Sequence, residues 1–146
     1  IPGGRGDYSV IKFNNKKINL IDQSYNSNPL SLKSAITNFD KINSKKSNKY
    51  LLIGDMLELG DHSKKLHQSI APIINQTKID KVFVKGKMAS IIFESISKAK
   101  KGGILLNKSQ IIELIKKDLN NNDYLMVKAS LATGFNDIVK DLRGSH

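Results

Sequence analysis

Four polar clusters in this chain stand where apolar runs end, and their residue types suit the binding and orientation of a charged substrate. They are Asp22-Gln23-Ser24-Tyr25-Asn26-Ser27-Asn28, Asp55-Met56-Leu57-Glu58, Lys85-Gly86-Lys87 and Lys128-Ala129-Ser130-Leu131-Ala132-Thr133. Asp55 and Glu58 lie three apart, a pair that could orient an ammonium or cap the helix that follows. Lys128 closes an apolar run, so its ammonium either snorkels to the rim or reaches a carboxylate or phosphate. Gly3-Gly4-Arg5-Gly6 is a flexible loop with one guanidinium, whose planar donors suit phosphate oxygens; the same loop also reads as a plain linker. Ser24 and Ser130 have no base partner visible in the sequence, which argues against nucleophilic catalysis. His62 and His67 lack a third metal ligand nearby and are expected at the surface or at a helix cap. Nowhere does G-x-x-x-x-G-K-[ST] occur, so the chain is not expected to hold and cleave a triphosphate alone.

These clusters need elements to position them. Residues 8–13 and 17–22 are two extended runs joined by Asn14-Asn15-Lys16, whose asparagines tolerate positive φ, and they predict a hairpin. Pro29 suits a first helical position, with Asn28 or Ser27 as its cap, and Leu32, Ala35, Ile36, Phe39 and Ile42 then recur at helical spacing. Strand-like runs return at 50–54, 81–84, 104–106 and 124–127. Helical stretches lie between them, carrying Leu66, Ile70, Ile73 and Ile74, then residues 88–97, then Ile111, Ile112, Ile115 and Leu119. A last apolar stripe runs through Phe135, Ile138, Val139 and Leu142. Pro72 removes a backbone donor inside the second helix and should kink or loosen it. The expected fold is α/β: a three-layer, mainly parallel, doubly wound, Rossmann-like sheet with an antiparallel N-terminal strand. One domain should span residues 1–142, with 143–146 a remnant of an expression tag.

The net charge of +11 raises nucleic acid as a partner, but the lysines are spread over nearly every helix and no aromatic residues interleave with them. Nucleic-acid binding is therefore not expected. Cysteine is absent, which excludes a disulfide framework and thiol chemistry. No apolar run approaches the roughly 20 residues that span a bilayer, and no leader is visible, so the expectation is a soluble, cytoplasmic protein.

The string Gly54-Asp55-Met56-Leu57-Glu58-Leu59-Gly60, with Leu66-His67 beyond it, Asp22 to Pro29, the Arg5 loop and Val127 to Ser130 resemble the C-terminal domain of the Mur ligases. The Gly-Asp-Met-Leu-Glu-Leu-Gly string is similar to the branch that adds D-Ala-D-Ala in peptidoglycan synthesis. The resemblance implies a ligase of three domains, in which a central ATPase domain of the same chain carries the P-loop and most of the Mg2+ ligation. ATP then activates the terminal carboxylate of UDP-MurNAc-tripeptide, and the amine of D-Ala-D-Ala attacks the acyl phosphate. It further implies that Arg5 reaches the ATP phosphates and that Asp22, Gln23, Tyr25, Asn26 and Asn28 lie beside ribose and adenine. By the same resemblance Asp55, Leu57, Glu58, Lys128 and Ser130 form the dipeptide pocket, and the isolated domain is inactive. Two positions depart from the family pattern: Gln23 stands where a second acid is usual, and Ala129 where glycine is usual. An alternative from another class is a stand-alone, non-catalytic nucleotide-sensing or receiver-like module.

Overall fold

A computed structural model describes residues 7–13, 15–24 and 28–128. Strand β1 (Asp7–Phe13) turns back antiparallel onto β2 (Lys16–Gln23), with Phe13 opposite Lys16. Asn15 takes the turn's left-handed conformation at φ 67°, which asparagine adopts more readily than most residues. Helix α1 (Pro29–Asp40) starts on a capping box. The Asn28 Oδ1 accepts from the Ser31 N–H at 3.0 Å, while the Ser31 hydroxyl accepts from the Asn28 N–H at 3.1 Å. Strand β3 (Lys49–Gly54) is buried along its whole length.

The second predicted helix is two helices, α2 (Ser63–Gln68) and α3 (Ala71–Asn75), preceded by a 3-10 turn at Gly60–His62. Pro72 falls in the first turn of α3, where its missing donor costs nothing, so the break lies just before it. Then follow β4 (Lys81–Lys85), α4 (Ala89–Ser95), β5 (Lys101–Ile104), α5 (Lys108–Lys117) and β6 (Tyr124–Lys128). The stripe through Phe135 and Leu142, and the supposed tag residues 143–146, lie outside the described residues.

The last strand before α5 departs from expectation: β5 occupies 101–104 rather than 104–106. The cause is Gly102-Gly103. A Cβ at Gly102 would meet the Phe83 ring at 2.4 Å, so glycine lets the strand close onto that ring and pair with β4. Leu105 and Leu106 then lead into α5, Leu105 still donating to the Val84 carbonyl at 2.8 Å.

The sheet order is β1-β2-β6-β3-β4-β5, with every neighbouring pair parallel except β1 and β2. Crossovers through α1, α2–α3 and α4 step towards β5, whereas α5 steps back to place β6 in the middle. Right-handed connections of opposite direction must cover opposite faces, and the apolar side chains agree. Ile21, Ile53, Val84 and Met126 pack with Ile36 of α1 and Ile92 of α4 on one face. Leu20, Leu52, Phe83 and Val127 pack with Ile111 and Ile115 of α5 on the other. Three layers result, and the carboxyl ends of five parallel strands share one rim.

Candidate functional site at the carboxyl rim of the sheet

The rim is organised around β6, because its neighbours β2 and β3 lead into helices on one face while β6 itself is reached from the other. Ligands of open α/β sheets bind beyond the carboxyl ends of strands at such a reversal. In register, Lys128 stands beside Gln23 of β2 and Ile53 of β3, and Asp22 beside Val127. Alternation along the strands puts Gln23 and Lys128 on the face of Ile21 and Met126, and Asp22 on the face of Leu20. The structure thus brings Asp22, Gln23, Lys128 and the segment after Gly54 to one edge.

Asp22, Gln23 and Ser24 are buried. The Asp22 Oδ1 accepts from the Ser24 N–H at 2.9 Å and from the Ser24 hydroxyl at 2.5 Å, an Asx turn that bends the chain away from β2. Asn28 is exposed and spends its side-chain carbonyl oxygen on the α1 cap. Tyr25, Asn26, Ser27, Ser130 and Arg5 lie outside the described residues.

Lys128 is only 3% exposed, and burial pushes its ammonium below the ordinary value of 10.5. A charge held at that depth gains more from an anion than a solvated lysine would.

The 55–58 loop is fixed from three directions. The Asp55 Oδ1 accepts from the Ala89 N–H at 2.7 Å, so this carboxylate caps a helix, though α4 rather than the next one in sequence. Gly86, at φ 119°, makes room for it: a Cβ there would sit 2.3 Å from the same oxygen. The Met56 N–H donates to His67 Nε2 at 3.0 Å, and the Met56 side chain is buried. Leu57 and Glu58 are left exposed, with Glu58 in a left-handed conformation at φ 61°. Of the acid pair, Asp55 thus spends Oδ1 on the scaffold, and Glu58 is the more exposed carboxylate.

His67 corrects the expectation of a surface or capping role. It is fully buried, and since its Nε2 accepts from a backbone N–H, the ring proton sits on Nδ1 and is donated to the Ser63 carbonyl at 2.7 Å. The signal was present in the spacing: His67, Ile70 and Ile74 recur on one buried stripe. His62 is exposed, as expected. Among the described residues no group of three His, Asp or Glu side chains gathers to hold a metal ion, and no helix is long and apolar enough to cross a membrane.

The family model described as "Mur ligase, glutamate ligase domain" matches residues 9–131. Among curated proteins, the UDP-N-acetylmuramoyl-tripeptide–D-alanyl-D-alanine ligase of Bacillus subtilis is 32% identical over 128 residues, covering 86% of this chain and 28% of that protein. The protein of the same name from Buchnera aphidicola (subsp. Acyrthosiphon pisum) is 35% identical over 125 residues, covering 84% and 26%. The chain thus spans between a quarter and a third of these relatives. Among solved structures, the MurF ligase of Thermotoga maritima in complex with ADP superposes with a TM-score of 0.74 at 21% identity, covering 95% of this chain and 30% of that one. A MurF structure from Acinetobacter baumannii gives 0.74 at 23% identity, covering 94% and 30%. At such identities the likeness establishes the fold.

Proposed function

Because the chain belongs to the Mur ligase family through its glutamate ligase domain, we propose that it serves as the C-terminal domain of an ATP-dependent ligase. That ligase joins D-Ala-D-Ala to UDP-MurNAc-tripeptide in the cytoplasm during peptidoglycan synthesis. The observation that carries the reading is the anchored Asp55–Glu58 loop at the carboxyl end of β3, the strand in register with Lys128 of β6, which puts an exposed carboxylate and a buried ammonium on one rim, opposite in sign to the two ends of a zwitterionic dipeptide. The names of the relatives at 32% and 35% identity support the same substrate. They favour it over a stand-alone nucleotide-sensing module.

In this reading the domain positions rather than performs the chemistry. The tripeptide carboxylate takes the terminal phosphoryl group of ATP, and the dipeptide amine displaces phosphate to give an amide. A central domain of the same chain supplies the phosphate cradle and the Mg2+ ligands. The present domain closes over it, holds the amine in line and excludes water that would hydrolyse the acyl phosphate. Gln23, Asp22, Tyr25, Asn26 and Asn28 line the ribose and adenine side, and Ser130 joins Lys128 on the dipeptide side.

The division of labour has a direct test. The 146-residue chain alone is expected to fold and to turn over no ATP, whereas a full-length ligase containing it forms the amide from all three substrates. ATP hydrolysis by the purified chain would overturn the reading. Gln23 tests the nucleotide side: in the full-length ligase Gln23→Ala should raise the KM for ATP by about tenfold, the scale of one lost polar contact to a bound substrate. The KM for D-Ala-D-Ala should hold. If neither constant moves, the ribose is held elsewhere on the loop.

A further inference from the structure

We infer that His67 is a positioning residue that sets the affinity for the dipeptide by fixing the backbone of the 55–58 loop through its Nε2 lone pair. The inference rests on reading that loop as part of the dipeptide pocket.

Both ring nitrogens are spent inside the protein. Nε2 accepts from the Met56 N–H at 3.0 Å, and Nδ1 donates to the Ser63 carbonyl at 2.7 Å, with the Ser63 hydroxyl 3.3 Å away. A fully buried ring committed on both sides can neither exchange protons with a substrate nor ligate an ion. What it can do is hold a strand-end loop to a helix. The Met56 N–H is the backbone donor between Asp55, tied to Ala89, and Leu57, which is exposed. The next residue, Glu58, holds a left-handed conformation at φ 61°, and such a conformation persists in a non-glycine residue only where the surroundings over-determine it. Asp55 fixes the loop's entry and His67 its midpoint. Removing the Nε2 acceptor strands a buried N–H and frees the two residues that face outward.

Side-chain geometry supplies the test. Glutamine extends far enough to place an oxygen where Nε2 stands, whereas asparagine reaches only the Nδ1 position. In the full-length ligase His67→Asn is expected to raise the KM for D-Ala-D-Ala by about tenfold, as misplacement of a binding loop does, with the KM for ATP unchanged. His67→Gln should restore most of it. In the 146-residue chain, amide exchange at Met56 should quicken by about tenfold or more in His67→Asn and stay slow in His67→Gln.

Glu58→Gln reports separately on the reading beneath the inference. If Glu58→Gln raises the dipeptide KM and His67→Asn does not, the inference fails while the pocket stands. If neither variant moves it, the loop is not the dipeptide loop and both fall. Equal effects of asparagine and glutamine at position 67 would show that the Nε2 acceptor is not what holds the loop, and would also overturn the inference.

Discussion

Replacing Arg5 by alanine in the full-length ligase is expected to lower kcat by about a hundredfold, the loss seen when one donor to developing transition-state charge is removed. Arg5 itself lies outside the described residues. Strand β1 begins at Asp7, and Asp7 stands opposite Asp22 at the carboxyl end of β2. Strand β1 therefore starts at the rim where the polar cluster after β2 begins, the side proposed above for the nucleotide. The family resemblance assigns Arg5 to the ATP phosphates. A guanidinium there presents planar donors to phosphate oxygens, and charge passing onto the transferred group strengthens those contacts in the transition state more than in the ground state. The expected signature is a fall in kcat with little change in the KM for D-Ala-D-Ala. Arg5→Lys should recover only part of the rate, because an ammonium keeps the charge and loses the fork. An unchanged kcat in Arg5→Ala would return Gly3-Gly4-Arg5-Gly6 to the linker reading.

What was legible in the sequence follows from which physical signals are local. The hairpin could be read because Asn15 and the runs around it carry turn and strand chemistry within a few residues, and α1 because Asn28 and Pro29 lie at its start. The buried strands β3, β4 and β6 announce themselves as short apolar runs between polar clusters. β5 does not, since Gly102 and Gly103 contribute no side chains to a pattern and its pairing depends on the Phe83 ring across the sheet. The break between α2 and α3 was foreshadowed by Pro72 but not placed, because proline fits a first turn as well as it disrupts an interior.

The candidate site divides in the same way. Strand ends identify the rim, so the sequence pattern already gathers Asp22, Gln23, Asp55, Glu58 and Lys128 at one edge as candidates. Their individual duties depend on contacts distant in sequence. Asp55 reaches Ala89, 34 residues on, and that contact makes it the cap of a helix other than the next one in sequence. His67 reaches back 11 residues to Met56, which no motif for metal or acid–base chemistry would propose. The proposed substrate is less local still: it rests on the resemblance of the Gly54–Gly60 string and on the names of the relatives, not on spacing or charge.

Lys128→Met should raise the KM of the full-length ligase for D-Ala-D-Ala by about tenfold or more, equivalent to about 1.4 kcal/mol of lost binding, and leave the KM for ATP almost unchanged. Methionine keeps the length and apolar character of the stem, so the sheet loses little packing at a position only 3% exposed. What it removes is a charge at the end of β6, in register with Gln23 and Ile53 and therefore central on the rim. A surface ion pair is worth about 0–1 kcal/mol at most, whereas one formed in a closed, poorly hydrated site is screened less. The pH dependence follows from the same burial. Desolvation holds the Lys128 pKa below 10.5, and only the protonated form attracts a carboxylate, so dipeptide affinity should be greatest below that pKa. It should fall as pH rises through a midpoint lower than that of a free lysine. Bound carboxylate favours the charged form, so in the saturated complex the same midpoint moves upward. The decisive control is the dipeptide amide, which has no carboxylate and should bind wild type and Lys128→Met alike. If the mutant still prefers the free acid as strongly as wild type does, Lys128 is not the carboxylate's partner, and its ammonium serves the phosphates or the sheet rim instead.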